Sequence, residues 1–442
     1  LADRGFVRIP RTGIFVAGVP ELVVWVEKRF ERQDVERAAG ALARYYTHRS
    51  VTGDIDRLTP TLMRLHAYAG DRRRMLSRAD NYGQWLEREG WLEVALDYYK
   101  HTADLLARDA IGSPQARIRY ILSRAELALE LSRLDEARAS LEPVAALTES
   151  VRHERGLIRG QLLLGQMATQ QDDLDDALKY FRRAANAARG INAPALLARS
   201  LLALAGWHER FGDTRTSQRM LEGAMNLFNR WGTYRMDLNS RSLMLHRASS
   251  MWAERGMLRR AERVCEDLEQ LADSSELAPA ECRSKWARAT IDAIRGDYDR
   301  ALELMEDAQQ LAHRVGLTAL RIEILRDHAA ICVEAGRSER AIELSAQLAD
   351  LAERHDDLFS AQRGRDLEAT AKCQVGRDTD ASLAHLESSL QRAQSRDVPR
   401  DIYRCHQNLA TAYTAVGRDA DAQDHRREAR RLGQRFRYRD AA

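Results

Sequence analysis

Small residues recur along the chain at intervals of about 40: Ala95, Ala137, Ala177, Ser217, Ala261, Ala301, Ala341, Ala381 and Ala422. Twelve residues before each stands a second small residue, beginning with Gly83, Ala125 and Gly165 and ending with Ala410. Five before each stands a turn former: Gly90, Ser132, Asp172, Gly212, Gly256, Gly296, Gly336, Gly376 and Gly417. Three markers in one register over nine copies predict a helical hairpin repeated as a solenoid, with paired helices in close contact at the small positions. In the copy at 280–315, helix A is expected to end at Arg295. The turn is Gly296-Asp297-Tyr298-Asp299, with an aspartate capping helix B, and Leu302, Met305 and Ala308 face back onto helix A.

The first residues read differently. Gly5-Phe6-Val7-Arg8-Ile9 and Gly13-Ile14-Phe15-Val16-Ala17 are β-prone runs flanking Pro10-Arg11-Thr12, which predicts a short hairpin. Helices are expected around 20–30, 35–49 and 55–68, closed by Gly70-Asp71. A lone hairpin is marginal in water, so the chain reads as the C-terminal part of a longer protein. The fold class that follows is all-α, a right-handed superhelical solenoid of antiparallel helix pairs with an N-terminal β-hairpin. Residues 1–71 are expected to form an end domain with connecting helices, and 72–440 an array of about nine helix pairs.

Composition changes little in that picture and removes several alternatives. With 44% hydrophobic, 31% charged and only 6% aromatic residues, the chain suits long Ala/Leu/Arg/Glu helices with solvated outer faces. A net charge of +3 gives no global field that would call for nucleic acid. The five cysteines are odd in number, far apart and lack a CxxC pair, which argues against a disulfide framework and a zinc site and favours a cytoplasmic location. No apolar run reaches the roughly 18 residues that span a bilayer, so no membrane partner is expected.

The stretches Gly296-Asp297-Tyr298-Asp299-Arg300-Ala301-Leu302-Glu303-Leu304 and Ala335-Gly336-Arg337-Ser338-Glu339-Arg340-Ala341-Ile342-Glu343-Leu344 resemble tetratricopeptide repeats. The resemblance covers about residues 73–435. It departs from the family in period, since the usual copy is about 34 residues long. The longer copy is similar to the sensor region of maltose-activator-type regulators and of related STAND signalling ATPases. Leu1-Ala2-Asp3-Arg4-Gly5-Phe6-Val7-Arg8 looks like the wing closing the winged-helix domain of those ATPases, and His66-Ala67-Tyr68-Ala69-Gly70-Asp71 like its junction with the repeats. The resemblance implies a partner in a concave groove lined by helix A and a nucleotide-binding module upstream.

Signatures of chemistry are missing from the sequence. There is no G-x-x-x-x-G-K-[ST], HExxH, G-x-S-x-G or G-x-G-x-x-G, so no phosphate cradle, zinc hydrolase or nucleophile elbow is indicated. The chain is expected to be non-enzymatic and to use no cofactor or metal. Any ATPase or kinase activity would lie upstream.

One pattern stands out. Eighteen residues before the small slots lie Ser77, Arg119, Arg159, Arg199, Leu243, Arg283, Glu323, Arg363 and Arg404, so six of nine copies place arginine at one helix-A position. Neighbouring positions on the same face add His246, Trp286, Arg326 and Gln407. Guanidinium groups with a few apolar neighbours suit an acidic peptide or another carboxylate or phosphate, because the planar fork bonds such groups bidentately. Arginine at a repeated position serves equally well to tie neighbouring repeats by ion pairs. A guanidinium bonded to a neighbouring carboxylate marks the second role, and a free one the first.

Two further readings accompany the ladder. Trp231, Trp252 and Trp286 could stack on a small-molecule inducer or belong to the core. The basic run Arg426, Arg427, Arg430, Arg431, Arg435, Arg437 and Arg439 suits a polar cap on the last helix better than a nucleic-acid contact. The function expected is a protein-interaction and sensor module, the alternative a small-molecule sensor.

Overall fold

The structure, a computed structural model, describes residues 91–108, 113–275 and 277–436 together with scattered positions between 31 and 87. The expected hairpin at 1–18, the helices at 20–30 and 55–68 and the junction at 66–70 lie outside the described residues, whereas the described positions from 33 to 44 are helical. The chain divides into two compact units, Leu1–Ile121 and Leu122–Ala442. Among the described residues there is no strand. Helix α1 spans Leu92–Arg108, and α2 (Pro114–Glu130) runs from the first unit into the second.

The second unit is a solenoid of antiparallel pairs. After α2 come α3 (Leu134–Leu141) and α4 (Val144–Ser150), one helix B divided at Pro143. The pairs that follow are α5 (Glu154–Gln170) with α6 (Leu174–Gly190), α7 (Pro194–Arg210) with α8 (Thr214–Arg235), and α9 (Leu238–Glu254) with α10 (Leu258–Ser275). Then come α11 (Ala278–Arg295) with α12 (Tyr298–Arg314), α13 (Thr318–Glu334) with α14 (Ser338–Arg354), α15 (Leu358–Gln374) with α16 (Thr379–Ser395), and α17 (Pro399–Ala415) with α18 (Asp419–Phe436).

The turns follow one backbone rule. A left-handed residue ends helix after helix, at the predicted Ser132, Asp172, Gly212, Gly256, Gly296, Gly336, Gly376 and Gly417 and also between pairs, as at Asn192, Gly316 and Asp356. Around Asp172 (φ 61°), Asp173 N–H donates back to Ala168 O at 2.8 Å, the six-to-one bond that closes a Schellman motif. The Asp173 carboxylate then accepts from Asp176 N and starts the next helix. Asp297 does the same for Arg300 N, so α12 begins at Tyr298, two residues earlier than the sequence reading.

The small slots are the points of closest approach within each pair. At Gly165 an added Cβ would run into the Phe181 ring. Two serines in these slots bond across the pair instead: Ser217 Oγ donates to Ala205 O at 2.7 Å and Ser249 Oγ to Ala261 O at 3.0 Å. One slot is displaced. Ala381 is exposed and Ser382 is buried in its place, because the left-handed Asp378 (φ 46°) is an extra residue in the turn. Ser382 N therefore bonds Asp378 O as Ala341 N bonds Arg337 O one pair earlier. The core is a row of clusters shared between neighbouring pairs, such as Ile158, Leu162 and Phe181, then Leu221, Trp252 and Leu268, then Leu325, Leu344 and Leu348. No helix among the described residues is long and apolar enough to cross a membrane.

Candidate functional site

The repeated arginines do not share one environment. Arg159 on α5 and Arg199 on α7 both grip Glu126 on α2, with Nη2–O distances of 2.7 and 2.8 Å. Burial works against an ionised carboxylate there, but Arg199 and Arg159 outweigh it and hold Glu126 at about 2. Arg283 on α11 is 7% exposed and donates to Asn239 Oδ1 and to Ser242 Oγ. Asn239 in turn donates to Glu130, so Arg283 belongs to a buried polar network. Arg119, in the first unit, is exposed, with its guanidinium over the Tyr120 ring at 5.6 Å.

Several positions expected to face a ligand are closed off. His246 and Trp286 are each 4% exposed, with ring centroids 4.0 Å apart. Trp286 Nε1 donates to Asp327 at 3.0 Å, and burial with Arg283 and Arg247 nearby pushes His246 down to about 3, so its ring is neutral. Trp252 is buried as well. Arg326 donates to Asp327 at 3.1 Å, and Gln407 to the Tyr403 hydroxyl at 2.8 Å. All five cysteines are free and buried, and burial raises the thiols of Cys265, Cys282 and Cys405 to about 12, which makes them small hydrophobes.

Arg363 on α15 and Arg404 on α17 differ from the rest of the ladder. They line a cleft of 320 Å³ with Arg210, Phe359, Asp366 and Asp401 among others, and neither forms a hydrogen bond or ion pair among the described residues. The carboxylates around them are already engaged. Asp366 accepts from Gln362 Nε2 at 2.8 Å, His385 Nε2 at 3.0 Å and Ser389 Oγ at 2.7 Å. Asp401 takes Arg210 Nη2 at 2.7 Å and Nε at 3.2 Å. Glu254 takes Arg400 at 2.7 Å. Burial, reinforced by Arg400 and Arg363, pushes the Arg404 guanidinium down to about 9. A guanidinium that basic stays protonated.

The cleft exists because the solenoid of the second unit returns on itself. Arg210 at the end of α7 bridges Asp172 at 2.9 Å, in the turn before α6, and Asp401 on α17. Arg396 bonds Asp172 from the turn before α17, through its side chain and through Asp172 O at 3.0 Å. The Phe436 ring fills the space where a side chain at Gly212 would lie, and His355 Nδ1 lies 3.2 Å from Ser132 O. Ser132, Asp172 and Gly212 sit at the predicted turn positions, but nothing in the spacing pairs them with Arg210, His355, Arg396, Asp401 or Phe436. A larger open hollow of 880 Å³ lies between α10, α11 and α12. Its interior cations Lys285 and Arg288 are already paired with Asp307 and Glu269.

The helix pairs, the left-handed closures at the predicted turn positions and the close crossings at small residues fix the fold. The fold is that of a tetratricopeptide-type helical-repeat array. Among solved structures, a Rap protein complexed with competence and sporulation factor matches with a TM-score of 0.58 at 13% identity, over 82% of this chain and 99% of that one. The apo quorum sensor NprR from B. thuringiensis matches at a TM-score of 0.46 and 14% identity, over 82% and 99%. A STAND protein with a tetratricopeptide repeat sensor from Pyrococcus horikoshii matches at 0.39 and 12%, over 76% of this chain and 53% of that one. No protein-family model and no curated protein matches the sequence. On the last helix of the array, two arginines of the basic run pair with acids of the same helix, Arg427 with Asp424 and Arg431 with Glu428, as in a solvated cap, and Arg437 and Arg439 lie outside the described residues.

Proposed function

We propose that this chain is a non-enzymatic interaction and sensor module that binds a protein or peptide on its inner, helix-A face, as the regulatory part of a larger signalling protein. The observation that carries the reading is the cleft lined by two half-buried guanidinium groups that form no hydrogen bond or ion pair among the described residues, which leaves their planar forks open to an anionic partner. The Rap protein of similar fold, complexed with competence and sporulation factor, supports a repeat array of this kind as a receptor. Trp252 and Trp286 are buried in the core and offer no stacking platform, and the half-buried Trp231 already carries the Arg230 guanidinium over its ring at 5.2 Å, which disfavours the small-molecule reading.

The test is affinity capture from native extract with the chain as bait, followed by hydrogen exchange of the complex. A captured partner that protects α15 and α17 is the expected result. Protection confined to the B helices, or ATP turnover by the chain itself, would overturn the reading.

A further inference from the structure

A second observation sits beside the unpaired cations. Leu358, the first residue of α15, is 60% exposed, and it lines the same cleft as the half-buried Phe359. Arg210 lies over the Phe359 ring at 4.3 Å, which holds the aromatic at the cleft wall. The cleft thus joins an anion-seeking pair to an uncovered apolar surface. Its 320 Å³ lies at the small end of the roughly 300 to 1,000 Å³ of ligand sites, enough for part of a chain.

Resting on the groove-binding reading above, we propose that Arg363 and Arg404 form a carboxylate subsite. It takes the side chain of an acidic residue in an extended peptide, while Leu358 and Phe359 take the apolar residue next to it. The uncovered apolar wall of Leu358 and Phe359 beside the two forks favours the carboxylate of a peptide over a free phosphate. Five arginines and three aspartates line the cleft, an excess of positive charge that suits an anion. A planar monoanion between two guanidinium groups meets two forks and adds a single negative charge.

The probes are acetyl-Leu-Glu-Leu-amide, its Gln counterpart and inorganic phosphate, followed by saturation-transfer NMR at millimolar concentration on the full chain. The Glu peptide is expected to bind about tenfold or more tightly than the Gln peptide, the scale of a charge-assisted hydrogen-bond pair. The double variant Arg363→Met, Arg404→Met should erase that preference and leave the helical circular dichroism unchanged. Equal binding of the two peptides, no binding of the Glu peptide, or phosphate competing more strongly than the Glu peptide overturns the subsite. If the double variant loses its helical signal, the subsite is decided by the wild-type peptide comparison and by phosphate competition alone. A captured partner indifferent to the double variant overturns the subsite and leaves the groove reading standing. Glu-selective binding with no captured partner does the reverse.

Discussion

Two stretches of one arginine ladder have opposite electrostatics. At the Glu126 end, a single carboxylate neutralises Arg159 and Arg199 from the next two pairs, and the guanidinium groups act as ties between repeats. At the Arg363 and Arg404 end, the carboxylates within reach are engaged by Arg210, Arg400 and the donors around Asp366. Two cations are left over. The same residue at the same repeat position therefore holds the solenoid together in one place and gives it an unmet demand in another. A repeated residue takes its role from its neighbours, and in a solenoid those neighbours change from copy to copy.

The comparison breaks most visibly at Glu126. Glu126→Gln leaves two guanidinium groups without a counterion and should cost about 3 kcal/mol, read as a lowered midpoint in urea unfolding. A loss near zero would mean that solvent screens the cluster, and the contrast between the two ends would vanish. The pH dependence follows from the same group. A carboxyl held at about 2 against an ordinary 4.5 contributes stability that is complete above the ordinary value and is lost as pH falls toward 2. Urea midpoints of the wild type should therefore drop across that window, with a shallower slope in Glu126→Gln.

A smaller effect is expected at the seam. Asp401→Asn removes the cross-turn partner of Arg210, whose side chain is only 12% exposed. It should cost about 1 to 2 kcal/mol and speed hydrogen exchange at the start of α17 more than elsewhere. Uniform exchange would show that the turns of the solenoid are held by something other than this bridge. The smallest effect belongs to Arg404→Met. It removes a cation that has no counterion, so stability should stay within about 0.5 kcal/mol of wild type or rise. A clear loss in thermal unfolding would reveal a structural partner for Arg404 and would merge the two ends of the ladder into one class.

The helix pairs, their turns and most of their close contacts were legible in the sequence because they are local. A left-handed closure is written mostly by Gly, Asn or Asp, with Ser132 among the exceptions, at one position, and a close crossing by a small residue. The displaced slot marks the limit of that legibility. Asp378 adds one turn residue and moves the contact from Ala381 to Ser382, a shift that spacing alone cannot see when both residues are small. The candidate site was legible in part. Arg363 and Arg404 carry the ladder register and Asp172 the turn register, whereas Arg210, Asp401 and Arg396 carry neither.

The sequence by itself determined the period, the hairpin, the all-helical class and the arginine-bearing face, because each depends on residues within about one repeat of one another. Only the tertiary structure decided which arginines are ties and which are free. Arg199 meets Glu126 across 73 residues and Arg210 meets Asp401 across 191, so the balance of charge at each rung depends on how the solenoid returns on itself. Charge compensation is a property of distance in space, and a repeat pattern fixes distance along the chain.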